Sequence, residues 1–367
     1  MKKQLIKTLA LASICVITHQ ASAYSTWSCL GEKMKWSSNS VTMRLASNSF
    51  SNSSWRSSMT TAISRLNQNP SRFRFSSYYP DTGVSVDNGQ SEAWFTSNQS
   101  LLGGAPARAF VQMDCVDYWI FGTDVEITEA DVIFDNQESY TTSMSKSSLW
   151  SHGGSFRPFQ TTAIHELGHG AGLAHTNNTY NIMGQDWDHI HANGWTARSY
   201  LGEDAANGLV YLYGTTGSSA EDVGITHFKR TGSSGQYSAH GKTVLRTSGG
   251  GNLPSFTSGG ETVYRVSRGQ TIRLELSYEN NGKTTRTEDI GFYVSTNPLI
   301  TTSDRLVGTT SMTLSRNSVY TTWRYVTIPS NLTRGANYWV GAIIDRNGSL
   351  GEMTEANNAT YLPIRIN

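Results

Sequence analysis

The sequence is short of cysteine, of net charge and of long apolar runs, and each shortage excludes a class of protein. Only 3 of its 367 residues are cysteines, which allows a single intrachain disulfide. A formal net charge of +1 argues against nucleic acid as a partner, because binding phosphates requires a basic surface. Beyond the first residues no apolar run is long enough to span a bilayer, so we expect no transmembrane segment.

The first 23 residues have the pattern of a secretory signal peptide. Three lysines precede an apolar run at residues 9–17, which is too short to span a bilayer, and Ala21-Ser22-Ala23 is a small-residue cleavage site. We therefore expect a secreted protein of 344 residues that begins at Tyr24, with the periplasm as the alternative destination. Loss of the three lysines would change the formal charge from +1 to −2.

The residues that indicate chemistry are His165, Glu166 and His169 in an H-E-x-x-H pattern, followed by Gly172 and His175. A spacing of four places the first two histidines on one face of a helix, opposite its apolar stripe. Gly172 can adopt a left-handed backbone conformation that ends the helix and returns His175 to the same place. Histidines that merely face solvent would leave the positions of Gly172 and His175 unexplained.

These residues resemble the metzincin pattern H-E-x-x-H-x-x-G-x-x-H, and Met183 in an Asn-Ile-Met-Gly turn resembles the Met-turn that follows it. The resemblance implies one catalytic Zn²⁺ with three protein ligands, His165, His169 and His175. It implies that Glu166 is the general base, and that Met183 supports the ligands without doing chemistry.

Two details favour the matrixin group among metzincins. The small Thr176 follows the third histidine, where astacins have glutamate, and residues 201–214 resemble the closing helix of matrixin catalytic domains. Gln185 stands where several other metzincin groups place an additional tyrosine ligand, so the sequence departs from those groups.

Cys29 and Cys115 remain after signal-peptide cleavage, and in an oxidising compartment such a pair most simply forms a disulfide. The alternative is that Cys29 binds the zinc and keeps a precursor inactive, as in matrix metalloproteinases. Almost no sequence separates Tyr24 from the first domain strand, and the propeptide motif of that family is absent, so the disulfide is favoured.

Ahead of the zinc motif, the hydrophobic pattern predicts a strand at 35–46, a helix at 55–66 and a strand around Phe73. This order resembles the upper subdomain of a metzincin. We predict an α+β metzincin catalytic domain over residues 24–214, with a twisted sheet, three main helices and a zinc cleft.

Residues 215–220 have the composition of a linker, and residues 221–367 contain no convincing helix. Alternation at 271–278 and several later short strands predict an all-β immunoglobulin-like sandwich. The order of motifs over about residues 262–367 resembles bacterial modules of the CARDB-like type. Residues 221–261 are rich in glycine and serine and are interpreted as the first strand plus a long loop.

Other polar residues are weaker candidates. Five aspartates could bind calcium, but their spacing matches no recognised calcium-binding loop. We therefore favour ordinary turn and surface roles for Asp114, Asp117, Asp124, Asp131 and Asp135. His152 could bind a second metal, but a solvated loop histidine is the favoured interpretation. The residues after Met183 are expected to form the wall of a substrate pocket: Asp186, Asp188, His189 and His191.

We therefore predict a secreted, monomeric zinc endopeptidase that acts on protein or peptide substrates. The competing hypothesis is an extracellular adhesion or glycan-binding protein with a structural zinc site, in which residues 221–367 bind a surface glycan or protein. Glu166 argues against this alternative, because a purely structural zinc site has no need of that carboxylate.

Overall fold

The computed structural model describes residues 24–117, 123–316 and 318–367, and the predicted signal peptide at 1–23 lies outside the described residues. No helix within these ranges has the length and apolar character needed to cross a membrane.

The first half of the chain contains helices and short and long strands. The helices are α1 (Ser53–Asn67), α2 (Gln99–Leu102), α3 (Phe159–Gly170) and α4 (Glu203–Tyr213). The strands are β1 (Ser25–Thr26), β2 (Ser28–Cys29), β3 (Glu32–Lys33), β4 (Ser40–Ala46), β5 (Arg74–Asp81), β6 (Glu92–Thr96), β7 (Ala107–Asp117), β8 (Thr123–Asp135), β9 (Tyr140–Thr141), β10 (Arg157–Pro158), β11 (Leu173–Ala174), β12 (Ile190–Ala192) and β13 (Ala197–Ser199).

A five-stranded sheet in the order β5-β4-β6-β8-β7 supports this half. Its strands are parallel except for β7, which pairs antiparallel with β8. Alternation in β4 turns Val41, Met43 and Leu45 into the core, where they join residues of α1 and α3 in one hydrophobic cluster. The sheet and helices agree with the predicted α+β architecture.

Helix α1 begins at Ser53, two residues before the predicted start at 55, because Asn52 caps it: its Oδ1 accepts a hydrogen bond from the backbone N–H of Ser54 at 2.8 Å. Met59 and Ile63 point from α1 into the core. Helix α4 likewise matches the predicted closing helix and ends at Gly214, whose φ is +73°.

Cys29 and Cys115 form a disulfide that joins the N-terminal segment to β7. The predicted pairing is confirmed, and a sulfur in this bond is not a thiolate ligand for zinc. The alternative of a Cys29-silenced precursor is therefore not supported.

The second half of the described chain is built of strands: β14 (Val223–Thr226), β15 (Phe228–Ser234), β16 (Tyr237–Lys242), β17 (Leu245–Thr247), β18 (Ser255–Ser258), β19 (Glu261–Val266), β20 (Thr271–Asn280), β21 (Arg286–Ser295), β22 (Arg305–Leu314), β23 (Val319–Thr327), β24 (Asn337–Ile344) and β25 (Ala359–Ile366).

These strands form two main sheets. One joins β14, β20, β17 and β23, and the other has the order β18-β19-β25-β24-β21-β22. Leu274 and Leu276 of the first sheet share a hydrophobic core with Val340 and Ile344 of the second. The interpretation of residues 221–261 as one strand plus a long loop is wrong, because this stretch contains β14–β18. The predicted boundaries at 24–214, 215–220 and 221–367 stay predictions.

Strands β15 and β16 pair only with each other and form a hairpin that lies against the segment after the third histidine. Arg230 donates from Nε to the carbonyl oxygen of Asn177 at 2.8 Å. Ser238 approaches Gly184 so closely that a Cβ at residue 184 would lie 1.8 Å from the Ser238 Oγ. The second half of the chain is thus in direct contact with the Met183 turn.

Candidate metal centre

Three histidines converge at the end of α3. His165 and His169 lie one turn apart on that helix, and Gly172 then adopts a φ of +97°, which only glycine reaches without strain. After the two residues of β11, His175 returns to the helical pair. The Nε2 of His165 lies 3.1 Å from that of His169 and 3.2 Å from that of His175, and the third distance is 3.0 Å.

The hydrogen bonds of the Nδ1 atoms show which ring nitrogens are available to a metal. The Nδ1 of His165 donates to the carbonyl oxygen of Ile182 at 2.7 Å, and the Nδ1 of His169 donates to that of Leu173 at 2.8 Å. A carbonyl only accepts, so the protons sit on Nδ1 and the Nε2 lone pairs face one another. Such a convergence of unprotonated nitrogens fits a tetrahedral zinc ion with one open position.

Electrostatics favour the neutral imidazoles that a metal requires. Burial, followed by the neighbouring His165, lowers the pKa of His175 to about 3. The same two causes hold the pKa of His169 well below its ordinary value.

The lack of a side chain at Gly168 allows Met183 to lie beneath the helical histidines, as the resemblance to metzincins implies. A Cβ at Gly168, between the two helical histidines, would lie 2.6 Å from the sulfur of Met183. Met183 is buried in the same core as α3. On the other side of the site, the Trp27 ring stacks on His169 with centroids 5.6 Å apart and an angle of 5° between planes. The ligand set is therefore held from both sides.

Glu166 follows the first histidine and is almost fully buried. Burial is the main cause that raises the pKa of its carboxyl to about 7, and His165 and the backbone N–H of Ala109 oppose that rise. A carboxyl with a pKa close to neutrality is suited to accept and then return a proton.

The predicted wall of the substrate pocket is wrong, because its residues are buried inside the protein. Asp186 accepts from Arg157 at 2.6 Å and also from Thr162. Asp188 pairs with Nδ1 of His240 at 2.9 Å. Strand β16, which contains His240, covers this loop, and that packing cannot be read from local spacing.

The two histidines of the predicted wall are buried as well. His189 lies between the rings of Tyr180 and Tyr200, with centroids 4.7 and 4.5 Å away. His191 is buried in β12. These side chains support the loop from inside and do not line an open cleft.

His152 is also placed differently from the favoured interpretation of a solvated loop residue. It is buried, and it lies with His227 and Glu261 in a group whose potential ligand atoms are within 4.8 Å of one another. Two lysines adjoin this group: Lys146 is 3.2 Å from Glu261, and the charge of Lys242 acts on both histidines.

The aspartates considered for calcium are not all on the surface. Asp131 is fully buried, and burial together with Glu129 raises its pKa to about 9. Among the described side chains, Asp114, Asp124, Asp131 and Asp135 belong to no cluster of three metal-binding residues. The side chain of Asp117 lies outside the described part of the chain.

Sequence reasoning missed two residues at the centre, Gln236 and Tyr237, at the tip of the β15–β16 hairpin. The Gln236 side chain hydrogen-bonds to His175, and the Tyr237 ring lies over the same histidine with centroids 4.4 Å apart. Tyr237 remains 45% exposed. About sixty positions separate these residues from the motif, and no local pattern in the chain signals their approach.

Solved structures offer weak similarities. The CARDB domain of a Pyrococcus furiosus protein, crystallised with di-metal ions, is 14% identical, with 34% of this chain and 88% of that chain covered and a TM-score of 0.23. A β-glucosidase from Listeria innocua is 13% identical, with 42% and 17% covered and a TM-score of 0.21. A putative β-galactosidase from Bacteroides fragilis is 13% identical, with 35% and 20% covered and a TM-score of 0.21. At these TM-scores the similarities carry no argument about this chain.

No curated protein matches the chain significantly. Residues 35–214, however, match the family model of the matrixin peptidases. The match spans the sheet, α3, the three histidines and α4, and it supports a zinc-dependent metallopeptidase. The match therefore supports a metzincin-like domain over residues 35–214.

Proposed function

We propose that the protein is a secreted zinc endopeptidase in which His165, His169 and His175 hold the metal and Glu166 is the general base. The observation that carries the proposal is the convergence of three Nε2 atoms within 3.0–3.2 Å of one another, with the Nδ1 protons of His165 and His169 directed to backbone carbonyls. When bound, zinc would lower the pKa of a water molecule and polarise the scissile carbonyl.

Glu166 has the proton-transfer role in this proposal. Its carboxylate accepts a proton from the attacking water and passes it to the leaving nitrogen of the peptide, first as base and then as acid. Met183 and Gly168 keep the helical histidines in register, and Ile182 and Leu173 fix their tautomers through backbone carbonyls. Each group thus has one task, and only Glu166 exchanges protons.

Changing Glu166 to Ala tests the proposal directly. In the mature chain from Tyr24, we expect one zinc per chain to remain while cleavage of a peptide library falls by about 10²–10⁴-fold, the usual contribution of a general base. Zinc is measured by elemental analysis and cleavage by mass spectrometry. The matched control is Glu32→Ala, since Glu32 is an exposed glutamate in β3.

Comparable turnover by Glu166→Ala and wild type would overturn the assignment of the base. A zinc-loaded wild-type chain that cuts no peptide but binds a surface glycan or protein would favour the adhesion alternative.

We further propose that residues 221–367 are an immunoglobulin-like module that brings the peptidase to a surface glycan or protein, and that residues 1–23 direct export. The two sheets with a common core support the first part. Glycan and protein arrays probed with the Glu166→Ala chain would test targeting, and N-terminal sequencing of exported protein should find Tyr24 first.

A further inference from the structure

A cluster of acidic side chains lies far along the chain from the histidines, where the segment 345–358 meets the start of β14. Asp345, Glu352 and Glu355 each place a carboxylate oxygen within 4.8 Å of the other two. Asp222 lies close enough for its charge to act on Glu352. The backbone N–H of Val223 donates to Glu352 at 2.6 Å and ties the two segments together.

Buried oxygens without a hydrogen-bond partner belong to Asp222 and to amides that contact the carboxylates. The Oδ1 atoms that lack any hydrogen bond belong to four residues that are each at least nine-tenths buried: Asp222, Asn281, Asn357 and Asn358. A buried acceptor that is left unsatisfied costs stability, so four of them on side chains that contact these carboxylates require an explanation.

Hydrogen bonds determine which end of each amide is free. The Nδ2 atoms of Asn281 and Asn357 donate to Oδ2 of Asp222 at 2.7 and 3.0 Å. The Nδ2 of Asn358 donates to both Glu352 and Glu355. Rotating any of these amides would place its oxygen against a carboxylate, so the amide oxygens, like Oδ1 of Asp222, are held free to accept.

Within the described residues the acidic side chains of the cluster take part in no salt bridge, although the charge of Arg65 interacts with that of Asp222. Among the salt bridges of the described residues, Arg286 pairs with Glu221 at 3.0 Å, and none involves Asp222, Asp345, Glu352 or Glu355. Burial, and then the charges of Asp222 and Glu355, raise the pKa of Glu352 well above its ordinary value. A cation at this place would relieve both the repulsion and the unsatisfied oxygens.

We propose that this cluster binds one Ca²⁺ ion. The candidate metal ligands are carboxylate and amide oxygens, and they are more numerous than the four ligands of a zinc site. They come from separate loops and strand ends, which suits the six to eight ligands and flexible geometry of Ca²⁺ better than the strict octahedron of Mg²⁺.

Binding would connect three segments that are distant in sequence. They are the first residues of β14, Asn281 after β20, and the loop that leads to β25. The same loop contacts the catalytic half, because Nε2 of Gln68 donates to the carbonyl oxygen of Met353 at 3.4 Å. The ion would therefore order the loop and hold it against the end of α1.

The test uses the mature chain carrying Glu166→Ala, freed of metal and titrated with CaCl2 in equilibrium dialysis. We expect one Ca²⁺ per chain and a higher melting temperature with CaCl2 than with MgCl2. Glu352→Gln and Glu355→Gln should each weaken binding by at least about tenfold, because each removes a charged ligand. Glu355 is exposed, so its variant should fold even if Glu352→Gln does not. Glu32→Gln is the matched control and should bind as the parent does.

Three results would overturn the proposal: no Ca²⁺ bound at about 10 mM, above the range of extracellular calcium modules; unchanged affinity in Glu355→Gln; or equal stabilisation by Mg²⁺ and Ca²⁺. The outcome does not depend on peptidase activity, since the parent chain lacks Glu166.

Discussion

Two groups of histidines in this protein have the same number of possible metal ligands but different surroundings. In the His165, His169 and His175 group, the Nε2 atoms lie within 3.0–3.2 Å of one another and two Nδ1 atoms donate to backbone carbonyls. In the group of His152, His227 and Glu261, the rings of the two histidines are 5.6 Å apart, and Nδ1 of His152 lies 3.6 Å from the carboxylate of Glu261.

Charge separates the two groups further. Lys146 donates to Glu261 at 3.2 Å, so the only carboxylate of the second group already has a cation. Burial is the main cause that lowers the pKa of His152 to about 4, and Lys242 adds to it. The comparison teaches that proximity of histidines does not make a zinc site. A zinc site also needs histidine tautomers that are fixed by hydrogen bonds of the other ring nitrogen, and it needs carboxylates that are not already paired with a cation.

The largest effect is expected from His169→Ala. With two ligands left, zinc should fall from about one per chain to almost none, and peptidase activity should fall by at least about 10³-fold. His152→Gln is the matched histidine variant and should keep the zinc content of the wild type. Elemental analysis after dialysis measures both.

Loss of zinc from His152→Gln, with retention in His169→Ala, would reverse the comparison. Two zinc ions in the wild type and one in each variant would show that both groups bind metal.

Sequence reasoning succeeded for the first group because its geometry is local. The spacing of His165 and His169 on a helix, and a turn at Gly172, place three rings together whatever the rest of the chain does. The Cys29–Cys115 pairing followed from a simple count. Strand β4 and helix α1 followed from the period of their hydrophobic residues.

Sequence reasoning failed where the outcome depends on packing between distant segments. His152 lies in a loop that looks solvated, but it is buried next to His227 and Glu261 from the second half of the chain. Asp188 looks like a pocket residue, but His240 covers it. No periodicity in either segment encodes these encounters.

A smaller effect is expected from pH acting on His152. Because its pKa is about 4 in the folded protein and near 6.5 when unfolded, the unfolded chain takes up the proton first as the pH falls. The free energy of unfolding should therefore decrease between pH 6.5 and 4, by up to about 3 kcal/mol from this residue, and level off below pH 4. Denaturant unfolding of wild type and His152→Gln at several pH values measures the difference.

His152→Gln should show a shallower dependence on pH over that window. The control Tyr325→Ala changes an exposed tyrosine and no histidine, so its dependence on pH should match that of the wild type. Parallel curves for wild type and His152→Gln would mean that His152 is not buried in the neutral form.

The smallest effect is expected from removing the ring of Tyr237, which covers His175 at the edge of the first group. Its ring is 45% exposed, so removing it leaves the core intact, and the Gln236 contact with His175 can persist. We expect Tyr237→Ala to keep zinc and to lower kcat/KM by about 10-fold, the low end of the range for one apolar contact with substrate. Tyr325→Ala, at a more exposed tyrosine on β23, is the control. A change in cleavage preference without loss of zinc would place the hairpin in the substrate cleft. A loss of zinc would instead show that the hairpin holds His175 in position, and that the first group, like the second, depends on the other half of the chain.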